Sequence, residues 1–518
     1  MKRILAFFLA CLMAVSLMSA CGEDKAPYTP TGNGLTWDED YTGPRPEQEE
    51  ESSDQKLSLT YYPQEGMNPY TCTDYTNRAL FSLLYQSLFA VDRSFEPQPQ
   101  LCKRYSVSQD LRTYVFYMEN ATFTDGSVLN AQDVLASLET ARESDYYAGR
   151  FQHIKTMNLT ADGGVEIKLA TDFENLPLLL DIPIVKASQV QMENPLGTGP
   201  YYLDGYGTAP VLRRNTAWWC KAKMTVTAQT IGLTEAQSPA SIRNEFQYGN
   251  LSLVCADPGS DNYADYRCDY ELWDIENGLF VYLGCNMESP VFSLPGVRSA
   301  LTYAIDRDTL VESYYRGFAR SATLPASPQF PHYSEVLADK YAFDGGTAFA
   351  KAVTDNSVTG QTVILLVNKE DSLRLRVARD IGKMLTGAGL VVQMSELSTS
   401  AYKKALQRKE YDLYLGQTKL SANMDLSGFF NTKGTMNYGG IADITLYNLC
   451  TLALANHGNY YSLHKGVMDD GRICPVLFRS YAVYAERGLL TGLTPARDSV
   501  FYYDMGKSME NALVEAAS

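Results

Sequence analysis

The chain has 518 residues, enough for about three domains, and a chain of this length buries a large core without needing disulfides or metals. Its 44 basic and 60 acidic side chains give a formal net charge of −16, and no compact basic patch of the kind that nucleic-acid binders carry is visible. The four histidines are scattered singly, which argues against a histidine-rich metal centre. Composition therefore disfavours nucleic-acid and membrane-spanning roles and leaves the function open.

The first twenty residues have the features of a secretory signal peptide. A basic start precedes an apolar run of about 15 residues, shorter than the roughly 20 that a transmembrane helix needs. The run closes with Ser19 and Ala20 directly before Cys21, an order that resembles the lipobox of bacterial lipoproteins, in which the cysteine is lipidated. The alternative is an ordinary signal peptide followed by an incidental cysteine. We expect an anchor at the cell membrane, on its extracytoplasmic face, through a lipid on Cys21.

Residues 21–56 are predicted to be the lipidated cysteine and a disordered tether. Proline and glycine interrupt every periodicity, and acidic residues cluster near the end of the segment. A flexible coil of this length spans about 30–35 Å, which is enough to hold a globular body clear of a bilayer.

Ten cysteines are present, of which eight follow Cys21. None of the eight lies in a C-x-x-C pair, so a zinc ribbon or a thioredoxin-like redox site is not supported. An even number in an exported chain permits disulfides, but buried free thiols, which pack as small hydrophobes, explain the composition equally well.

From residue 57 onward, strands and helices are predicted to alternate. The predicted elements are a strand at 57–61, a helical stripe over 77–90, a strand at 114–118, a turn at Asp125-Gly126, a helix with an Asn130–Asp133 capping box, a pair of strands at 165–169 and 200–203 on either side of an apolar segment at 176–184, a helix over 297–305, a helix capped by Asp306, a strand at 363–367, a helix at 373–385 and a strand at 391–394. This alternation favours an α/β architecture.

No motif points to catalysis. Gly197-Thr198-Gly199-Pro200 lacks the third glycine of a dinucleotide-binding loop, and its proline removes an amide, so a structural turn is predicted. No Gly-x-Ser-x-Gly elbow exists and no Ser, His and Asp set can be assembled from spacing. The many carboxylates do not exclude a glycosidase by composition, but nothing singles out a pair. We expect no enzymatic activity, no cofactor and no metal.

Five groups of segments follow one another along the chain in a distinctive order and spacing: Leu83–Leu88, Phe123–Ser127 with Ala131–Val134, Gly197–Tyr201, Val297–Leu301 with Ala304–Arg307, and Cys474–Leu477. In this order they resemble the extracellular solute-binding proteins of ABC importers, the branch that includes oligopeptide-, dipeptide- and nickel-binding proteins. Each is weak alone, but their order and spacing together are specific, and the resemblance covers residues 57–518 almost completely.

The resemblance implies an α/β, two-lobed fold like that of the type II periplasmic binding proteins, with a hinge and an additional inserted domain. Lobe I would take residues 57–80, 186–283 and 475–518, the inserted domain 81–185, and lobe II 284–474. The implied function is capture of a solute, with an oligopeptide the leading expectation, by a monomer that delivers it to ABC permease membrane subunits. The alternatives are a receptor or adhesin that does not transport, a binder of a glycan or metal chelate, and, least expected, a secreted hydrolase.

The resemblance also implies a set of ligand contacts. They lie on the loop after the first strand, at the end of a crossing strand, in the segment after 411–414, and after the returning strand. These positions are Thr73, Asp74, Tyr75, Tyr282, Asn286, Gln417, Asp425 and Arg479. Tyrosine offers apolar area with a hydroxyl, and Asn and Gln offer donors and acceptors, which suits an extended polar ligand. The alternative is that these are satisfied core or surface groups.

One position departs from the peptide-binding pattern. Peptide-binding relatives hold the ligand α-amino group with an aspartate near a tryptophan. That aspartate stands just ahead of an Asp-Pro or Glu-Pro pair in those proteins. In this chain the position of the acid falls at Ser421 or Ala422, the position of the tryptophan falls at Thr418 or Lys419, and Leu426 occupies the position of the proline. A buried ammonium without a carboxylate costs several kcal/mol, which weighs against free peptide N-termini as ligands.

The replacement for this acid is left open by the sequence. Asp425 or Asp74 could substitute for it. Lys419 could pair with a carboxylate, which would favour a peptide C-terminus or a non-peptide solute as the ligand. Alternatively, Lys419 could point to solvent.

Overall fold

The structure is a computed structural model that describes residues 57–205, 209–220, 226–235, 238–257, 266–488, 496–501 and 503. The predicted signal peptide, the lipobox cysteine and the predicted tether lie outside the described residues. Within them, no helix has both the length and the apolar character that a membrane span requires.

The strands of the described chain fall into five sheets. In chain order they are β1 (Leu57–Tyr61), β2 (Gln86–Ser87), β3 (Phe89–Val91), β4 (Pro97–Pro99), β5 (Cys102–Val107), β6 (Thr113–Met118), β7 (Ile154–Leu159), β8 (Val165–Leu169), β9 (Pro183–Ile184), β10 (Tyr201–Asp204), β11 (Val211–Arg214), β12 (Thr230–Glu235), β13 (Leu253–Ala256), β14 (Glu271–Cys285), β15 (Ala319–Ser321), β16 (Thr362–Asn368), β17 (Val391–Leu397), β18 (Leu413–Lys419) and β19 (Ile473–Ala485).

The α-helices differ widely in length. They are α1 (Tyr75–Arg78), α2 (Phe81–Leu84), α3 (Ala131–Arg142), α4 (Pro239–Gln247), α5 (Pro295–Ala300), α6 (Arg307–Tyr315), α7 (Glu335–Ala338), α8 (Thr347–Asp355), α9 (Ser372–Gly387), α10 (Thr399–Arg408), α11 (Ser427–Phe430), α12 (Ile444–Ala455) and α13 (Tyr460–Asp470). Short 3-10 turns join several of them, among them Ala148–Phe151 and Leu301–Ala304.

The largest sheet is organised around two long strands. Its order is β13-β19-β14-β18-β16-β17, with β15 also paired to β19. β14 runs antiparallel to β19 and to β18, whereas β16 runs parallel to β18 and to β17. The β16–α9–β17 unit is a parallel crossover, and the apolar face of α9 is buried at Val377, Ile381 and Leu385. This sheet therefore contains segments from both sides of the predicted lobe boundaries.

Two four-stranded sheets complete the framework. One has the order β1-β12-β11-β10, with β1 parallel to β12 and the other pairs antiparallel. The other has the order β5-β6-β8-β7, is antiparallel throughout, and lies wholly within residues 102–169. The strand pairs β2–β9 and β3–β4 form two further sheets, each of two antiparallel strands.

Local signals in the sequence predict many of these elements. The strand at 57–61 and the strands at 114–118, 165–169, 363–367 and 391–394 are confirmed within a few residues. The capping box of α3 forms, because the Asn130 and Asp133 side chains bond each other's backbone amides reciprocally. Asp306 caps α6 by accepting from the Thr309 amide at 3.1 Å. The Asp125-Gly126 turn is present, with Gly126 at φ +83°.

The helical stripe predicted over 77–90 is wrong beyond Leu84. The chain forms α1 and α2 and then becomes extended at Tyr85, so that residues 86–91 form β2 and β3. The physical reason is burial on all sides: Leu83, Leu88 and Phe89 are fully buried. A short apolar run of this kind does not distinguish a helix from buried strands.

The strands at 165–169 and 200–203 exist but do not pair with each other. β8 pairs with β6 and β7, and β10 pairs with β11 in another sheet. The Gly197–Pro200 loop before β10 packs against the end of α2, where the Gly199 amide donates to the Leu84 carbonyl at 3.0 Å. A Cβ on Gly199 would lie 2.4 Å from the Leu84 carbonyl carbon, so this position requires glycine.

Candidate functional site

Two adjoining cavities meet at Tyr146 and Arg150, in the segment that follows α3. Each encloses about 100 Å³, room for several water molecules. The first is lined by residues of α1 and α2, of β2 and β3, and of the 497–503 segment. The second is lined by residues 418–421, by Asp425 and by residues of α11. The site is thus built from segments that are far apart in sequence.

A β-bulge in β14 shapes one wall. The pairing of β14 with β19 shifts register between Glu276 and Leu279, and Gly278 adopts φ +71°. The bulge leaves the Asn277 carbonyl free to accept from Lys419 Nζ at 2.8 Å. A Cβ on Gly278 would lie 2.2 Å from a guanidinium nitrogen of Arg497, so the close approach of this arginine requires glycine.

Two ion pairs surround the bulge. Arg497 Nε lies 3.1 Å from a Glu276 carboxylate oxygen, and both side chains are buried. Lys419 forms a close ion pair with Asp498. Burial raises the pKa of the Glu276 carboxyl, against the opposing charge of Arg497. Burial acts in the same direction on Asp498, but Lys419 and Arg497 bring the pKa of Asp498 below its ordinary value. Lys419 is therefore paired within the protein.

Tyr146 lies between two cations at the junction of the cavities. The Arg78 guanidinium carbon is 3.3 Å from the centre of its ring, and Lys419 Nζ is 4.9 Å from it. Such cation–π contacts stabilise both partners. Burial would raise the pKa of Tyr146, but Arg78 and Lys419 outweigh burial and lower it. The ring is consequently held in a positive environment.

The remaining acids at the cavities also have cationic partners. Arg150 forms an ion pair with Asp181 in the first cavity. In the second, His153 Nε2 lies 2.8 Å from Asp425, whose carboxylate also accepts from Gln152 and from the Ser427 hydroxyl. Burial acts to lower the pKa of His153, but Asp425 raises it, and the net result is a rise. Burial acts to raise the pKa of Asp425, but His153 lowers it, and the net result is a fall.

The predicted contacts from the N-terminal loop separate in the structure. Tyr75 lines the first cavity and stacks on Tyr481, with ring centroids 3.5 Å apart. Asp74 caps α1 by accepting from the Asn77 amide, which uses its carboxylate locally. Thr73 is exposed and is not part of either cavity lining.

Four further predicted contacts lie on or near the central sheet. Tyr282 is buried, with its hydroxyl 3.2 Å from that of Tyr414. The Asn286 amide donates to two backbone carbonyls, including that of Tyr411 at 2.7 Å. Both side chains therefore form hydrogen bonds within the protein, and neither lines either of the two cavities.

Gln417 and Arg479 are brought together. Arg479 Nη1 donates to the Gln417 amide oxygen at 2.8 Å, and Arg479 Nη2 lies 2.6 and 2.8 Å from the two carboxylate oxygens of Asp257. Burial acts to lower the pKa of Arg479, but Asp257, Tyr315 and Asp371 together raise it above its ordinary value. The pair lies on β18 and β19, outside the two cavity linings. Of the eight predicted contacts, Tyr75 and Asp425 are the two that line the cavities.

Most of the residues that line the cavities were not predicted from the sequence. Arg78, Tyr146, Arg150 and Arg497 meet only through long-range folding, so no local spacing identifies them. One signal was available: the Asp145-Tyr146-Tyr147 sequence, which begins three residues after the end of α3, carries large side chains in the loop that follows this helix.

The described residues contain no group of three or more His, Cys, Asp or Glu side chains that could hold a metal ion. The free-thiol interpretation is confirmed for the six cysteines Cys72, Cys255, Cys268, Cys285, Cys450 and Cys474, of which all but Cys268 are buried. Burial raises the pKa of the Cys72 thiol to about 11, which makes it a packing group and a poor nucleophile.

Comparison with known proteins identifies the family. A family model described as bacterial extracellular solute-binding proteins, family 5 Middle, matches residues 96–439. The chain is 26% identical over 338 residues to the glutathione-binding protein GsiB of Escherichia coli strain 536, covering 59% of this chain and 64% of that protein. It therefore spans less than two thirds of the length of this relative, and about 55% of GsiB from Salmonella typhi.

Solved structures show the same fold at low identity. The ABC transporter substrate-binding protein CtaP from Listeria monocytogenes matches with a TM-score of 0.72 and 18% identity, over 87% of this chain and 98% of that one. NikA from Brucella suis in complex with Fe(III)-EDTA matches with a TM-score of 0.69 and 18% identity, over 86% and 98%. The chain belongs to the bacterial extracellular solute-binding proteins of family 5, and the predicted α/β fold of the type II periplasmic binding proteins is confirmed.

Proposed function

We propose that this chain is the substrate-binding component of an ABC importer and captures an extracellular oligopeptide in the cavities around Tyr146 and Arg150. The supporting observation is that aromatic and charged side chains from segments far apart in sequence line two adjoining cavities in a member of this family. Tyrosine and arginine offer ring faces and donors that suit an extended polar ligand. Capture and delivery to permease membrane subunits need no covalent chemistry, so we propose no catalysis and no cofactor.

We further propose the domain division 57–80, 186–283 and 475–518 for lobe I, 81–185 for the inserted domain and 284–474 for lobe II. The sheet β5-β6-β8-β7 lies inside the inserted segment, and β1-β12-β11-β10 lies inside lobe I. β14 and β19 cross the lobe boundaries and support a hinge at that point. A monomer suffices for this arrangement.

The proposed location is the extracytoplasmic face of the cell membrane, through a lipid on Cys21 and a tether over 22–56. Cys21→Ala should release the protein into the medium or leave it uncleaved, as measured by fractionation and intact mass. Cys11→Ala lies inside the predicted signal peptide and serves as the matched control, because it should leave anchoring unchanged. A Cys21→Ala variant that stays processed and membrane-bound would contradict the lipid anchor.

Native mass spectrometry of protein purified without denaturation tests the ligand class. Recovery of a mixture of short peptides is the expected result. A single defined glycan or metal chelate would replace the peptide proposal with a non-peptide solute. If no peptide, glycan or chelate binds, a receptor or adhesin without transport is favoured instead, and turnover of a bound candidate would indicate a hydrolase.

A further inference from the structure

Arg78 differs from the other charged groups that line the cavities. Its Nη1 donates to the carbonyls of Pro69 and Cys72 at 3.1 and 3.0 Å, and its Nη2 donates to the Tyr147 hydroxyl at 2.7 Å. None of these acceptors carries a formal charge. Among the described residues, no carboxylate oxygen lies within 4 Å of the Arg78 guanidinium. Its charge therefore faces aromatic rings and neutral dipoles: its guanidinium carbon lies 3.3 Å from the ring centre of Tyr146 and 5.2 Å from those of Phe81 and Tyr147.

Every carboxylate in the lining, in contrast, is already paired. Asp181 pairs with Arg150, Asp498 with Lys419, and Asp425 with His153. The remaining lining cation, Arg497, pairs with Glu276 just behind the wall. An ammonium group entering the site would meet no unpaired acid in the lining, whereas a carboxylate would meet one unpaired guanidinium. A peptide N-terminus carries an ammonium group and would need an unpaired carboxylate, so the charges in the lining favour an acidic ligand group over an N-terminus.

We propose that the bound solute supplies a carboxylate to Arg78, so that the protein selects ligands by an acidic group and tolerates a blocked amine. This inference rests on the proposed function and specifies the ligand chemistry of the same site. Arginine recognises carboxylates through two parallel hydrogen bonds, and the Tyr147 hydroxyl beside it offers a further donor. The carboxylate can come from a peptide C-terminus or from an acidic side chain, and both sources present the same planar pair of oxygens.

The experiment varies the ligand and leaves the protein unchanged. Libraries of tripeptides and pentapeptides are prepared with free C-termini, with C-terminal amides, and with acetylated N-termini, and their retention is measured by native mass spectrometry. We expect retention of the free-acid and N-acetyl libraries. In the amide library, we expect loss of binding, or retention only of members with Asp or Glu side chains, which would identify the side chain as the source.

Two results overturn the inference in distinguishable ways. Equal retention of neutral amides and free acids would overturn carboxylate selection, and loss of binding on N-acetylation would overturn tolerance of a blocked amine. Either result leaves peptide capture intact. No retention of any library would overturn the proposed peptide function and the inference with it.

A protein variant gives a second measurement. Arg78→Gln keeps a donor for the Pro69 and Cys72 carbonyls but removes the charge, and we expect it to weaken the best free-acid peptide by about tenfold or more in calorimetric titrations. Its affinity for any neutral amide that binds should be unchanged. Arg112→Gln, at an exposed ion pair with Asp172, is the matched control and should bind like the wild type. Equal affinity of Arg78→Gln and the control for the free acid would overturn the proposal.

Discussion

Glu276 and Arg497 form an ion pair whose side chains are only 8% and 2% exposed. Removing one partner of a buried pair leaves the other charge uncompensated, which costs about 3–5 kcal/mol. We therefore expect Arg497→Met to lower the free energy of unfolding by about that amount in urea titrations. Arg213→Met breaks the exposed pair with Asp204 and should leave the free energy of unfolding nearly unchanged, because solvent screens that pair. Equally small effects of both changes would contradict a structural role for the buried pair.

The His153–Asp425 pair should make stability depend on pH. The folded-state pKa of His153 is raised above its ordinary 6.5. Its contribution to the free energy of unfolding is therefore full below about pH 6.5 and is lost as the pH rises through the raised value. The folded-state pKa of Asp425 is lowered, so its contribution is present above about pH 4 and is lost as the pH falls through the lowered value. The pair is therefore most stabilising between about pH 4 and pH 6.5.

The measurement compares urea unfolding of the wild type with that of His153→Gln at about pH 5.5 and about pH 8.5. We expect the variant to lose more stability at the lower pH. Around the pair, Gln152 and Ser427 are neutral donors and do not alter the sign. His457→Gln should show the reverse trend, because burial lowers the pKa of His457. The same loss for His153→Gln at both pH values would contradict a charged pair.

Residue-level prediction from the sequence succeeds where the partner is local and fails where it is distant. The Asn130–Asp133 capping box spans three positions, and the sequence indicates it directly. The partner of Asp425 is His153, 272 positions away, and no spacing in the sequence suggests it. The same holds for Lys419, whose two sequence-based alternatives omitted the Asp498 carboxylate that it contacts.

At the scale of elements, the contact of the Gly197–Pro200 loop with α2 carries a stability prediction. A Cβ on Gly199 would lie 2.4 and 2.5 Å from backbone atoms of Leu84 and Leu83, which cannot move as a flexible side chain can. We expect Gly199→Ala to destabilise the protein by about 1–3 kcal/mol in thermal or urea unfolding. Gly387→Ala, at the end of α9 with nothing within 4 Å of the added carbon, should be neutral or stabilising by up to about 1 kcal/mol. Equal effects of both would show that the loop can move away from α2.

The same contact explains why the segment 77–90 misleads sequence analysis. Leu80, Leu83, Leu84 and Leu88 follow a helical spacing, but the chain leaves the helix at Tyr85. Tertiary contacts end α2: the Leu84 carbonyl accepts a hydrogen bond from the Gly199 amide, and β2 then pairs with β9. Elements with both a cap and a clear period, such as α3 and α9, needed no such information. Propensity and period decide an element only when its neighbours do not override them.

At the scale of the whole molecule, the cavities are lined by segments from proposed lobe I, the proposed inserted domain and proposed lobe II. Two long strands, β14 and β19, link the proposed lobes, and the bulge at Gly278 lies in the first of them. A solute that contacts all of these segments at once would favour their close approach. The sequence resemblance supplied the order of these segments, but the bulge that positions Lys419 and Arg497 has no sequence signal beyond one glycine.

Solute binding should therefore both stabilise and compact the protein. A peptide at about one hundred times its dissociation constant should raise the free energy of unfolding by about 2.7 kcal/mol, and small-angle scattering should show a smaller radius of gyration. Tyr146→Ala removes the ring between Arg78 and Lys419 and should abolish both responses at that peptide concentration. Tyr248→Ala, at a side chain that is 79% exposed, is the matched control and should retain both. If the wild type binds a peptide but neither compacts nor gains stability, capture by approach of the lobes is contradicted. If Tyr146→Ala responds like the control, the ligand site lies away from the junction of the two cavities.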